Sequence, residues 1–141
     1  LFFAIDAYYS NLEAYLLYSL FVAILSDIGG LVFGKTFKGK KLTKISPNKT
    51  ISGSVGSYTF SLFLIPFFNN EFIELNFVLL LLITIIISTT SQLGDLFISY
   101  LKRKAKVKNT SNILPGHGGF LDRVDGIIFA TPIGILLFNY L

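Results

Sequence analysis

The chain has 141 residues, enough for one domain, with 52% hydrophobic and 14% charged residues and a mean hydropathy of +0.67. A soluble domain carries about 25% charged residues, so composition argues against a soluble globule and for an all-α polytopic membrane protein. The absence of cysteine excludes disulfides, and one histidine without cysteine excludes a structural zinc site.

About 20 apolar residues are needed to cross the hydrocarbon core as a helix. The sequence predicts four such spans. Residues 14–33 form the first, with Asp27 as its only charge, and 51–68 the second, uncharged and rich in Ser and Gly. Residues 76–98 form the third, with only Asp95 charged, and 120–141 the fourth. Pro132 in the fourth is tolerable in a membrane helix if neighbours satisfy the freed carbonyl. The chain opens on Leu1 and contains no Met. Residues 1–9 therefore read as the end of an upstream helix, and residues 1–141 as a single membrane domain from a longer protein. No basic stretch precedes the first apolar run, so no signal peptide is expected.

The connections alternate in charge. Residues 34–50 carry Lys35, Lys38, Lys40, Lys41, Lys44 and Lys49, and 69–74 carry Glu71 and Glu74. Residues 102–119 carry Lys102, Arg103, Lys104, Lys106 and Lys108, with Arg123 shortly after. Lys and Arg are retained on the cytoplasmic side, so both basic loops are expected there and 69–74 outside. Asp27, Asp95, Asp122 and Asp125 are expected at helix ends facing the basic loops. The partners this implies are membrane lipids and small anions, with no nucleic acid.

Residues 29–36 fit the phosphate-loop pattern G-x-x-x-x-G-K-[ST]. That pattern binds phosphate only between a strand and a helix, and here a membrane helix precedes it. Gly29, Gly30 and Gly34 are expected instead to permit close helix packing or a tight exit from the membrane. The aspartates have a simple structural explanation as well, since a carboxylate near a helix end reaches water or a neighbouring lysine. Their clustering favours more. Asp122 and Asp125 are three apart and share a helix face, as do Asp95, Ser99 and Lys102. Carboxylates beside an anion-attracting surface suit Mg²⁺, which takes oxygen ligands from one or two carboxylates plus substrate phosphates. The basic loops could equally hold anionic lipid, at about 1 kcal/mol per Lys or Arg near the surface. In Ser46-Pro47-Asn48-Lys49-Thr50, proline fixes a turn that presents two hydroxyls and an ammonium suited to phosphate.

The most specific stretch runs from Ser99 to Asp125. Its Pro115-Gly116-His117-Gly118-Gly119 segment is too glycine-rich for helix and lets backbone approach a ligand closely. It leads into a helix start carrying Asp122 and Asp125, where the helix dipole favours negative charge.

This stretch resembles the signature of phosphatidate cytidylyltransferases, also called CDP-diacylglycerol synthases. Ser99, Lys102, Arg103, Lys108, Leu114, Pro115, His117, Gly118, Gly119, Asp122, Arg123 and Asp125 fall at the signature's spacing. Gly94-Asp95-Leu96, Ser46-Pro47-Asn48-Lys49-Thr50 with Gly53, and Asp27 with Gly34-Lys35 resemble three upstream family segments. The likeness covers about residues 27–126. Three positions depart from the pattern: Asn109 replaces the usual Asp, Gly30-Leu31 the usual Ala-Tyr, and Ser52 a common Glu. The family also has further N-terminal helices, so this chain would be the C-terminal part of a longer cytidylyltransferase.

The resemblance implies transfer of the cytidylyl group of CTP to phosphatidic acid, giving CDP-diacylglycerol and pyrophosphate for phospholipid synthesis. The catalytic residues it suggests are Asp95, Asp122, Asp125, Lys102 and Arg123. Asp95, Asp122 and Asp125 would hold Mg²⁺, with a second cation left open. Substrate contacts would come from Ser46, Lys49, Thr50, Ser99, Arg103, Lys108, His117, Gly118 and Gly119. The implied location is a bacterial cytoplasmic membrane with the site facing the cytoplasm, and a homodimer is compatible. Two alternatives are a CTP-dependent polyprenol kinase, which would transfer the γ-phosphoryl group, and a non-catalytic membrane protein holding anionic lipid.

Overall fold

The structure, a computed structural model, describes residues 2–43, 46, 49–68, 73, 75–105 and 120–140; for 2–11 and 120–123 it describes the backbone alone. Five helices follow in order: α1 (Phe2–Phe37), α2 (Ile51–Leu62), α3 (Ile65–Phe68), α4 (Phe77–Lys104) and α5 (Phe120–Tyr140). Among the described residues there is no strand, only an isolated antiparallel bridge between Lys41 and Thr50. The chain is all-α, as its composition implies. Leu12–Phe37, Ile51–Phe68 and Phe77–Lys104 are each long and apolar enough to cross a membrane. The 21 residues of α5 reach about 30 Å at 1.5 Å each, which also matches the hydrocarbon thickness.

The distribution of side chains supports the membrane reading. Ser19, Ser26, Ser57, Ser61, Thr84, Ser88 and Ser91 are buried, while Leu16, Phe21, Val55, Phe63, Leu82, Ile86, Leu93, Phe97, Ile128 and Leu136 are exposed. Small and polar residues between helices, with large apolar ones outside, are what lipid as solvent favours.

Four helix boundaries differ from the sequence expectation. α1 begins at Phe2, so residues 2–9, read from the sequence as the end of an upstream helix, are continuous with the first span. α1 runs to Phe37, so Asp27 lies inside the helix and the basic loop starts at Lys38. Lys38 itself takes a left-handed conformation (φ 41°), a common way to end a helix. The 51–68 span breaks into α2 and α3. Phe63 N–H still donates to Thr59 O and Leu64 N–H to Ser61 O, but Pro66 has no N–H for Leu62 O. α4 continues past Ile98 to Lys104, so Lys102, Arg103 and Lys104 form its last turn. Cations there complement the carbonyl end of the helix dipole.

α1 packs chiefly on α2, α4 on α5, and α1 also touches α4 and α5. Glycines set the first contact. A Cβ on Gly29 would meet the Gly56 carbonyl, one on Gly56 would meet the Gly29 carbonyl and the Phe33 ring, and one on Gly53 would lie 2.8 Å from Gly30 O. Residues 29–36 therefore pack as helix against helix. The helix consumes the N–H groups that a phosphate loop would offer.

At one end of the bundle Tyr15 stacks on Phe138 with ring centroids 4.4 Å apart, and Tyr18 meets Phe68 and Phe138 edge-on. Val22, Ile65, Ile73, Leu80, Ile83 and Ile87 complete this core. Hydrogen bonds join the helices beside it. Thr84 gives its proton to Leu80 O at 2.7 Å, so the Tyr18 hydroxyl, 2.5 Å away, is the donor to Thr84. Tyr58 and Thr89 repeat the arrangement between α2 and α4. The opposite end carries the Lys–Asp ion pairs.

Candidate functional site

Between α1 and α2, the described residues 38–43, 46, 49 and 50 bring the chain back on itself as a clasp. Leu42 N–H donates to Lys49 O at 2.7 Å, and Ile51 N–H to Lys40 O at 3.0 Å. Thr50 caps α2, its hydroxyl accepting from Gly53 N–H at 3.1 Å. Ser46 lies in the turn, its carbonyl accepting from Lys49 N–H. The clasp carries Lys49 across to α4, where its Nζ donates to Asp95 Oδ2 at 3.1 Å.

A second pair lies beside the first. Lys102 Nζ donates to Asp125 Oδ2 at 2.7 Å, and both side chains are only 16% exposed. Asp95 and Lys102 are seven apart, two turns along the same face of α4. Asp125 and Lys102 both act electrostatically on Asp95. Lys49, Asp95, Lys102 and Asp125 thus gather four half-buried charges from the clasp, α4 and α5, two of each sign. Half-burial strengthens each interaction over its value in water.

Glycines flank the two aspartates. A Cβ on Gly94 would lie 2.8 Å from the Phe129 ring. One on Gly126 would lie 2.6 Å from Ser91 Oγ and 3.1 Å from Asp95 Oδ1. The α4–α5 contact thus closes by seating Phe129 against Gly94, and Ser91 with Asp95 against Gly126. Ser91 Oγ and Asp95 Oδ1 are both buried, and neither has a hydrogen-bond partner.

The sequence-derived residues fall into three groups. Lys49, Asp95, Lys102 and Asp125 are brought together. Ser99, half-exposed, and Arg103, exposed, follow on α4 near this end, while Thr50 is tied into a helix cap. Asp122 and Arg123 lie in the first turn of α5, one turn ahead of Asp125, with side chains outside the description. Lys108, His117, Gly118 and Gly119 lie outside the described residues. Lys49 and Lys102, assigned from the sequence to substrate binding and catalysis, each hold a carboxylate in this structure. Ser91 was missed by sequence reasoning, although it lies one turn before Asp95 on the same face.

The side chains present fit a hard cation in part. Asp95 Oδ1 is a buried oxygen without a partner, facing the start of α5. Oxygen donors of this kind suit Mg²⁺. Among the described residues no group of three His, Cys, Asp or Glu side chains gathers, Asp122 being the expected third.

Fold and site together define a helical integral membrane protein with paired carboxylates and ammonium groups at one end of its bundle. The chain belongs to the cytidylyltransferase family, whose model matches residues 1–141. It is 47% identical over 122 residues to a phosphatidate cytidylyltransferase of Staphylococcus haemolyticus, covering 84% of this chain and 46% of that protein. It is 45% identical over 123 residues to one of Rickettsia conorii, covering 82% and 54%. One of Staphylococcus aureus is 43% identical over 122 residues, covering 84% and 46%. The chain spans about half the length of the curated relatives it matches.

Proposed function

We propose that this chain is the C-terminal membrane domain of a phosphatidate cytidylyltransferase, which transfers the cytidylyl group of CTP to phosphatidic acid. A phosphate oxygen of the lipid attacks the α-phosphorus of CTP, the bond to the β-phosphate oxygen breaks, and pyrophosphate leaves. The single observation that carries this reading is the joining of Asp95–Lys49 to Asp125–Lys102 in a chain of this family. A lipid phosphate monoester is already ionised near neutral pH, so no general base is required. Both reactants are anions, which makes charge neutralisation and positioning the dominant catalytic contributions.

The paired state explains how the site rests without substrate. Half-buried ions are costly when unpaired, and each lysine meets that requirement for one aspartate. On substrate binding, phosphate oxygens replace the carboxylates as acceptors for Lys49 and Lys102, in short charge-assisted hydrogen bonds. Mg²⁺ held by Asp95, Asp122 and Asp125 would supply further neutralisation of phosphate charge. Arg123, Arg103, Lys108, Ser99, Ser46 and the 117–119 loop are the further substrate contacts we assign. The basic residues of both loops support a cytoplasmic position for this end under the positive-inside rule.

The test uses full-length protein with phosphatidic acid and CTP labelled at either the α- or the γ-phosphorus. Label from the α-position should enter lipid, and a chelator should stop it. Label from the γ-position alone would indicate a lipid kinase. Lipid binding without incorporation of either label would leave only an anionic-lipid-binding protein.

A further inference from the structure

We propose that Ser91 is a positioning residue for Asp95, holding its inner carboxylate oxygen through one bridging water where Gly126 brings α5 against both. Its consequence for turnover rests on the functional reading above; the contact itself does not.

The behaviour of Ser91 differs from that of its neighbours on α4. Thr84, Thr89 and Thr90 each return their proton to the carbonyl one turn earlier, at 2.7, 2.7 and 2.8 Å. Ser88 pairs with Ser26 at 2.9 Å. Ser91, 0% exposed, does neither. A buried hydroxyl left unbonded costs about 1–3 kcal/mol, and its usual remedy in a helix, the carbonyl four residues back, is not taken.

The hydroxyl instead turns toward α5. A Cβ on residue 126 would lie 2.6 Å from the hydroxyl oxygen and 3.1 Å from both Asp95 Oδ1 and Ser91 O, so the two side-chain oxygens face the same short stretch of α5. Residue 126 is glycine, which is what lets α5 approach the two oxygens this closely. Ser91 and Asp95 are four apart and share a face. One atom is a donor and the other an acceptor only, so each is the remedy for the other. A water placed between them would satisfy both, as buried waters do for otherwise unpaired polar groups.

Asp95 Oδ2 is already fixed by Lys49. Holding Oδ1 as well would lock the carboxylate plane at both oxygens. Loss of the hydroxyl would leave Oδ1 free to rotate away from the α5 start, without removing a charge or a substrate contact.

The experiment is infrared spectroscopy on full-length protein carrying ¹³C-carboxyl aspartate, in lipid bilayers. The Asp95 carboxylate band is identified as the one lost in Asp95→Asn. Ser91→Ala should shift that band, whereas Ser88→Ala, one turn below and bonded to Ser26, should not. Turnover of Ser91→Ala should fall roughly tenfold in kcat with KM for CTP little changed, the size expected for a hydrogen bond to a charged group. An Asp95 band that stays in place in Ser91→Ala overturns the proposal. So does an equal shift in Ser88→Ala, which would mark a general effect of α4. Should wild-type protein fail to form CDP-lipid, the functional reading falls while the band shift still decides the contact.

Discussion

The α1–α2 and α4–α5 contacts both close on glycines, but to different ends. Between α1 and α2, Gly29 and Gly56 bring backbone onto backbone, with Gly30 and Gly34 against Gly53. Between α4 and α5, Gly94 and Gly126 receive side chains: the Phe129 ring, the Ser91 hydroxyl and the Asp95 carboxylate. The first contact combines main chain with the Phe33 ring on Gly56 and the Ser57 hydroxyl against Gly30. The second holds Lys102–Asp125 and, at its edge, Lys49–Asp95, and leaves Ser91 Oγ and Asp95 Oδ1 without partners. Natural interiors satisfy nearly all buried polar groups. Among the described residues, the two unsatisfied atoms both lie at the α4–α5 crossing.

The comparison is broken most severely by charge. Asp95→Asn and Asp122→Asn should each reduce CDP-lipid formation by about a thousandfold or more, through lost charge neutralisation at the reacting phosphates. Membrane expression should be unchanged, as judged by equal yields of folded protein after extraction. Were the site a holder of anionic lipid alone, removing a negative charge would leave lipid binding intact or improve it. Wild-type turnover in Asp122→Asn would defeat its assignment as a cation ligand.

The two glycine contacts can be set against each other with one added methyl. In Gly56→Ala the new Cβ meets the Gly29 carbonyl and Phe33, neither of which can turn aside. Stability should fall by about 1–3 kcal/mol, measured as the unfolding midpoint, while molecules that remain folded keep near-normal kcat. In Gly126→Ala the Cβ meets the ends of Ser91 and Asp95, which can rotate. The loss should therefore appear in kcat, by roughly tenfold to a hundredfold, with a smaller change in midpoint. Equal effects on both quantities in both variants would erase the distinction between the contacts.

The smallest effect belongs to the seam away from the charges. Tyr18→Phe removes the donor to Thr84, but Thr84 keeps its bond to Leu80 O. Single interhelical hydrogen bonds in membranes average about 0.6 kcal/mol. Unfolding should shift by about that much, with turnover equal to wild type. A loss of kcat here would extend the functional region well beyond the charged end.

Local chemistry alone determined much of this protein. The runs of about 20 apolar residues announced helices, because only a helix satisfies its own backbone in lipid. Gly29, Gly30 and Gly34 read as packing residues, since a membrane helix offers no free N–H groups to phosphate. Asp95 and Asp125 read as site residues from their place beside the basic segments and from the family likeness. Only the tertiary structure decided how the charges pair. Lys49 and Asp95 are 46 positions apart and Lys102 and Asp125 are 23 apart, and no periodicity specifies contacts between separate helices. That the lysines hold carboxylates, that Thr50 caps a helix, and that α4 extends far enough to put Lys102 opposite Asp125 all follow from packing. Ser91 was invisible for the same reason. Its sequence neighbours supply ordinary helix hydroxyls, and it becomes distinct only when Gly126 of another helix packs against it beside Asp95.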